Sequence, residues 1–354
     1  MDGIKTMATE TIRRPEEACL EKTTWTPARL LELSGGYWSA CALHAGVKLG
    51  VFTLLSDEPL ATRELASRIS CDSRGLAMLL NALAAMELLE KRGEAYVATP
   101  FASEFLDRTK PGYLGHIIMH HHHLMSGWAN LDQAVQSGKP VRERVSHEDA
   151  EASRESFLMG MFNLAMQIAP LIVPKIDLSG RRRLLDLGGG PGSYAIHFCR
   201  QNPGLTAVVC DLPSTRGFAE RTVEGFGLSG RISFVERDFE TEELPSGFDV
   251  AWLSHVLHGV GPQTCAVVLK KAVSALEPGG MILVQEFILD DTKDAPLFPA
   301  LFSLNMLLGT PDGQAYSQGE LFDMLAAAGA TELRRIPLPL PNGAGVIAGT
   351  APAR

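Results

Sequence analysis

The chain has little that would mark it for export, for a disulfide framework or for a structural metal. Its six cysteines, Cys19, Cys41, Cys71, Cys199, Cys210 and Cys265, are scattered, with no C-x-x-C pair. That usage suits reduced thiols in a cytoplasm rather than disulfides or a zinc site. No uninterrupted apolar run approaches the roughly 18 residues of a membrane span, so a membrane partner is not expected. The stretch from Met1 to Thr26 is polar and lacks the hydrophobic centre of a signal peptide, so export is not expected either. There is no excess of positive charge: the net charge is −9, which argues against a nucleic-acid partner.

What is present is an ordinary globular composition, 45% hydrophobic and 21% charged, in a chain of 354 residues, long enough for two domains. The most informative stretch is Leu184-Leu185-Asp186-Leu187-Gly188-Gly189-Gly190-Pro191-Gly192-Ser193. An apolar run ending in an acid and followed by glycines reads as a buried parallel strand, a tight turn and the start of a helix. A ligand there would meet free N–H groups at the helix N-terminus. The dinucleotide pattern G-x-G-x-x-G does not fit, because the glycines fall at Gly188, Gly190 and Gly192 with Ser193 in the third place. The spacing is D-x-G-x-G-x-G, counted from Asp186.

Before this stretch the pattern is helical. Residues 1–26 read as a tail, and Pro27 to Leu55 as helix with a break at Gly35-Gly36. Residues 61–99 read as helix, turn, helix and hairpin: Thr62 caps the first helix, Asp72 or Ser73 caps a second over Gly75–Glu90, and Arg92-Gly93-Glu94 makes the turn. That is a winged-helix outline, but its five basic residues are matched by five acidic ones. Phosphate binding needs several cations, so the module is read as a packing and dimerisation element. Residues 111–137 form one helix or two, carrying His116 and His120 to His123. His116 and His120 share a helical face with His123 near it. No carboxylate shares the spacing and H-E-x-x-H is absent, so the run reads as a polar face or a substrate-pocket wall, with His120 and His123 as candidates, and no metal is expected. A further helix over 148–176 carries Phe157, Met161 and Phe162. The domain boundary falls near 177, giving a helical domain 27–177 and a second domain 178–354.

The second domain alternates strands and helices, which predicts a doubly wound α/β sheet. Strands are expected at 183–187, 205–210, 231–236, 248–253 and 280–288, with two more in 331–350. Ligands bind beyond the carboxyl ends of such strands, and polar residues collect there. Asp211-Leu212 follows the second strand, where an acid can accept from ribose hydroxyls. Asp238-Phe239 follows the third, with a carboxylate for an adenine amino group and a ring to cover the base. Ser254-His255-Val256-Leu257-His258 ends the fourth.

From about Pro27 to Thr350 the chain resembles the two-domain, dimeric class I O-methyltransferases of plant and bacterial secondary metabolism, including caffeate-type and hydroxyindole-type enzymes. The resemblance rests on the winged-helix-like module, the glycine stretch, Asp211-Leu212-Pro213, Asp238-Phe239 and Glu277-Pro278-Gly279-Gly280. It implies a seven-stranded Rossmann-like sheet, a homodimer, S-adenosylmethionine as cofactor and a small, hydroxylated methyl acceptor. It implies that Asp186, Gly188, Gly190, Asp211, Leu212, Asp238, Phe239 and Ser254 serve the cofactor. The family's L-H-D-W segment aligns with Leu257-His258-Gly259-Val260, so His258 is the implied general base, and Glu286 matches the carboxylate that orients it. Met306 and Met161 match positions lining the acceptor pocket. Two family features are missing: Gly259 stands for the aspartate after the histidine, and the second supporting glutamate falls on Ala315. Acceptance by sulfur or carbon stays open on these residues, as does a cofactor-sensing DNA-binding regulator, against which the neutral helix pair counts.

Overall fold

The computed structural model describes residues 24–143 and 151–353; the stretch before Thr24 and the first residues of the helix expected from 148 lie outside them. The helical part begins with α1 (Pro27–Gly35) and α2 (Tyr37–Lys48), then α3 (Val51–Leu54) and the short strand β1 (Leu60–Ala61). Thr26 caps α1 by accepting from Arg29 N. α4 (Thr62–Arg68) follows, but its cap is Ala61 with no side-chain bond, so Thr62 is the first helical residue rather than the cap. Asp72 caps α5 (Ser73–Ala85) by accepting from Gly75 N.

α5 ends earlier than residue 90. Glu87 takes a left-handed φ of 60°, and Leu89–Arg92 becomes β2, paired antiparallel with β3 (Ala95–Ala98) across Gly93-Glu94. The hairpin takes the residues that local helix propensity would have kept. β1 pairs with β3 to complete a three-stranded sheet. Then come α6 (Pro100–Phe105), α7 (Gly115–Trp128), α8 (Leu131–Ser137) and α9 (Glu151–Ile172). Leu65, Leu76, Leu80 and Leu83 join Phe52, Leu60 and Tyr96 in one apolar core. α1 buries nothing, leaving Leu30, Leu31, Leu33, Tyr37 and Trp38 exposed along α1 and the start of α2.

From Arg183 the chain is α/β: β4 (Arg183–Leu187), α10 (Ser193–Gln201), β5 (Thr206–Asp211), α11 (Arg216–Gly225), β6 (Ile232–Glu236), β7 (Phe248–Ser254), α12 (Pro262–Ser274), β8 (Leu276–Leu289), α13 (Leu297–Gly309), β9 (Tyr316–Ser317), α14 (Gln318–Ala327), β10 (Thr331–Ile336) and β11 (Ala344–Thr350). The sheet order is β10-β11-β8-β7-β4-β5-β6, with the two-residue β9 added beside the end of β8. β11 is antiparallel to both its neighbours, and β8, β7, β4, β5 and β6 are mutually parallel. β8 starts four residues before Gly280.

Alternate residues of the central strands face two separate cores. Leu185 and Leu187 point to the α12 and α14 side, with Val268, Leu269, Leu321 and Leu325. Leu184 and Trp252 point to the other side, with Tyr194, Phe198, Ala169 and Ile172. Burial on both faces is why these strands read as unbroken apolar runs.

α9 ties the two parts together. Its residues Ala169 and Ile172 lie in the sheet's core. Gly160 lies so close to α7 that a Cβ would stand 3.1 Å from Ile117 Cα. By length and composition alone Arg154–Lys175 could cross a membrane, with a mean hydropathy of 1.6. Asn163 and Gln167 interrupt its apolar residues, so it is no uninterrupted apolar run.

Candidate active site

The strand order reverses between β4 and β7, and the loops leaving their carboxyl ends, with those of β5, β6 and β8, surround one cleft. Asp186 closes β4. It is 1% exposed, its Oδ2 accepts from Ala195 N at 3.1 Å, and its Oδ1 has no hydrogen-bond partner among the described residues. Burial pushes its carboxyl up to about 7, opposed by the Ala195 bond and helped by the charge of Asp211. The glycine turn then bends tightly. Gly188 has φ 65°, its N–H donates to Cys210 O at 2.8 Å, and a Cβ there would stand 2.6 Å from a Val256 methyl. At Gly190 (φ 53°) a Cβ would meet nothing within 4 Å. The turn is therefore packed at Gly188 and open at Gly190.

Asp211 clasps that turn. Its Oδ2 accepts from Gly190 N at 2.8 Å and its Oδ1 from Leu212 N at 2.7 Å. At the end of β6 the Asp238 carboxylate accepts from Glu240 N and the Thr241 hydroxyl, while Lys271 Nζ donates to three carbonyls of the same turn, those of Phe239, Glu240 and Glu242. The Phe239 ring edge comes within 3.4 Å of where a Gly188 Cβ would be. Ser254 at the end of β7 donates to Gln285 Oε1 at 3.1 Å.

The chemistry of this set discriminates between ligands. Carboxylates at 186, 211 and 238 ring a turn whose Gly190 N–H is already given to Asp211. Such a site suits a ligand that brings its own hydroxyls and amino groups. A pyrophosphate would need several N–H donors and would face like charge. Together with the open space at Gly190 and the orphaned Asp186 Oδ1, the residues fit an adenosyl cofactor and not a dinucleotide.

The reacting side of the cleft is set by β8. Glu286 is 2% exposed. Its Oε1 accepts from Leu257 N at 2.8 Å and, at 3.4 Å, from His258 N, which fixes the turn Leu257–Gly259 to the strand. Its Oε2 stands 2.7 Å from His258 Nδ1 and 3.6 Å from His255 Nδ1. Burial alone would raise the Glu286 carboxyl, but the charge of His258 and its hydrogen bond, with the imidazole of His255 nearby, hold it well below the usual carboxylate range. Behind the turn, Gly313 packs so closely that a Cβ would lie 2.5 Å from His258 O. Ala315 is buried, its N–H donating to the Ser303 hydroxyl at 3.0 Å.

Sequence reasoning missed the aromatic wall. The edge of Phe302 meets His258 with centroids 4.7 Å apart, and Phe287 packs on both Phe298 and Phe302 at 4.8 Å. Phe298, Phe302 and Met306 are four residues apart along α13, a spacing that would have grouped them on one face. Met306 is buried there, whereas Met161 lies half-buried on α9. Arg142 was also missed. Its Nη2 donates to Asn305 O and Oδ1, and Gly309 makes room for it, since a Cβ would overlap the guanidinium.

The histidine run diverges. His122 faces His44 and Lys48 Nζ on α2, and His116 lies by Tyr113. His120 is buried beside Phe157, and burial, then His121, Arg142 and His123, lower its imidazole to about 3, so it is neutral. His123 is half-buried next to His122.

Comparison with known proteins agrees with this geometry. Residues 128–331 match the O-methyltransferase domain, and residues 31–108 match the O-methyltransferase dimerisation domain. The chain is 35% identical to 3-hydroxy-5-methyl-1-naphthoate 3-O-methyltransferase of Streptomyces sahachiroi, over 91% of this chain and 95% of that protein. It is 33% identical to the tetracenomycin polyketide synthesis 8-O-methyl transferase TcmO of Streptomyces glaucescens, over 87% and 92%. Among solved structures, human N-acetylserotonin methyltransferase in complex with SAM superposes with a TM-score of 0.81 at 26% identity, over 94% of this chain and 99% of that one. The chain belongs to the O-methyltransferase family and carries that family's dimerisation domain.

Proposed function

We propose that the protein moves a methyl group from S-adenosylmethionine to a hydroxyl of a small aromatic molecule, with His258 as general base. The 2.7 Å contact between His258 Nδ1 and Glu286 Oε2 carries this reading. A buried, ionised carboxylate keeps the ring proton on Nδ1, which leaves a lone pair on Nε2. When bound, S-adenosylmethionine supplies a methyl group on positively charged sulfur. A phenol with pKa about 10 holds its proton at neutral pH. Nε2 accepts that proton as the oxygen becomes the nucleophile, and Glu286 stabilises the imidazolium. Phe287, Phe298 and Phe302 keep water from the reacting atoms.

In this reading Asp186, Gly188, Gly190, Asp211, Leu212, Asp238, Phe239 and Ser254 hold the cofactor. Met161, Met306, His120 and His123 face the acceptor, with His120 neutral and able to donate or accept one hydrogen bond. Residues 27–177 dimerise and shape the pocket, and residues 178–354 bind the cofactor. Two copies pair through the exposed apolar face of α1 and α2, in a cytoplasmic enzyme without nucleic-acid or membrane partners. The relatives' names, a hydroxynaphthoate and a polyketide methyltransferase, support a fused-ring phenol as the acceptor class. The test is incubation with the cofactor and a panel of hydroxylated naphthalenes and anthracenes, reading products heavier by one CH₂. His258→Ala that keeps full turnover would refute the base.

A further inference from the structure

The turn that carries His258 also holds a second imidazole that the reaction does not use. His255 is a non-glycine residue at φ 57°, a region side chains seldom adopt. Its N–H donates to Gln285 O at 2.9 Å, and its ring lies on Phe287 at 4.3 Å. Both neighbours are residues of β8 that flank Glu286, so the strand fixes His255 from two sides. Its Nδ1 is buried and has no hydrogen-bond partner among the described residues, because the 3.6 Å to Glu286 Oε2 is too long for one. Nδ1 of His258 points at the same oxygen from 2.7 Å. The ligand atoms of His255, His258 and Glu286 all lie within 4.8 Å of one another.

Two imidazole nitrogens and one carboxylate oxygen on a fixed frame make a three-ligand set of the kind Zn²⁺ takes, with water as a fourth ligand. Borderline-soft ions favour such nitrogen-rich sets, whereas Mg²⁺ demands oxygen ligands. We propose that His255, His258 and Glu286 bind Zn²⁺, and that the bound ion switches the enzyme off.

The chemistry of inhibition follows from the tautomer. A neutral imidazole has one ring proton and one lone pair. With the metal on Nδ1 of His258, that proton sits on Nε2, so the nitrogen that would deprotonate the acceptor has no lone pair left. Glu286, engaged by the ion, no longer supports an imidazolium. No bond in the cofactor or the acceptor changes, and removal of the ion restores the base. The inhibitory half of this proposal rests on the general-base reading above; metal capture does not.

Both halves can be read separately on the full-length protein with Cys19, Cys41 and Cys71 changed to serine, which leaves only the buried thiols of Cys199, Cys210 and Cys265. Co²⁺, as a spectroscopic stand-in for zinc, is expected to give visible d–d bands that saturate at one equivalent per chain. The His255→Asn variant keeps a residue that tolerates the left-handed backbone. It is expected to lose those bands and to weaken Zn²⁺ inhibition by at least the roughly 10–100-fold that loss of even an outer-shell partner costs. Its turnover in EDTA is expected to stay near that of the parent. Bands unchanged by His255→Asn, or equal zinc inhibition of variant and parent, overturns the site. Bands lost in the variant while zinc leaves the parent's methyl transfer untouched overturns the switch and, with it, the role of His258.

Discussion

Replacing Glu286 by glutamine is the most searching test of the base, because it keeps the shape and removes one proton acceptor. The amide has one oxygen to offer. The N–H groups of Leu257, at 2.8 Å, and His258, at 3.4 Å, already point at Oε1, so the glutamine oxygen settles there. Its NH₂ is then placed 2.7 Å from His258 Nδ1. A donor facing Nδ1 forces that nitrogen to accept, and the ring proton moves to Nε2. The neutral ring is now in the wrong tautomer for a base.

Two losses add. The charge-assisted bond is worth about 1.5–3 kcal/mol, or about 10–100-fold in rate. Tautomer inversion adds to it; the equivalent carboxylate-to-amide change in the serine-protease triad takes the total to about 10⁴. The predicted fall in kcat is therefore about 10²–10⁴-fold, with the acceptor KM little changed because the proton is taken only in the transition state. The measurement is S-adenosylhomocysteine release at saturating acceptor, with a thermal melt to confirm that the variant folds. A folded Glu286→Gln protein within about threefold of the parent kcat would show that proton transfer to His258 is not what limits the reaction.

Asp211→Ala removes the clasp on Gly190 and Leu212, and S-adenosylhomocysteine affinity by calorimetry is expected to fall about 10–100-fold, since two charge-assisted bonds organise the turn; unchanged affinity would count against the site. Gly188→Ala is expected to cost more than 2 kcal/mol of stability, roughly, because left-handed backbone strain adds to a 2.6 Å approach to Val256. Gly190→Ala carries only the backbone strain of about 1–2 kcal/mol but puts a methyl into the open space of the cleft, so it should hurt cofactor binding more than folding. Asp186 gives a pH signature. Its native carboxyl is raised to about 7 against about 3.9 when unfolded, so the native state favours the protonated form. That stability is complete below pH about 4 and lost as pH rises through about 7, a change on the order of 4 kcal/mol. Asp186→Asn should flatten the pH dependence of the cofactor-free melting temperature between 5 and 8, and an equal slope in both proteins would refute the assignment.

The residues proposed to hold the cofactor were legible in the sequence and the aromatic wall beside His258 was not, and the reason is geometric. Asp186, Asp211, Asp238 and Ser254 each stand at or just past the end of a different strand, and parallel strands buried on two faces announce themselves as apolar runs with polar residues at their ends. Asp186, Asp211, Asp238 and Ser254 could therefore be placed by reading strand ends in chain order. The other side is assembled by helices from distant segments: Arg142 reaches Asn305 across 163 residues, and Phe302 reaches His258 from α13. No local pattern encodes such a meeting. The helix expected to run to Glu90 failed for a related reason, since its last residues form helix well alone but are claimed by pairing with Ala95–Ala98.

The two departures from the family pattern gain a physical meaning from the same geometry. Ala315 is buried and bonded to Ser303, while Gly313 packs against the backbone of His258 and Gly259, so the turn is braced there by backbone rather than by a second carboxylate. Gly259 likewise brings no charge to the turn. The negative charge that supports His258 is thus concentrated in Glu286, and one oxygen of it lies between two imidazoles. If His258 is the base, a base built this way has less redundancy than one with two carboxylates. Any group that competes for Oε2, whether a glutamine amide that inverts the tautomer or a metal ion that His255 helps to hold, acts on the whole of the base's support at once.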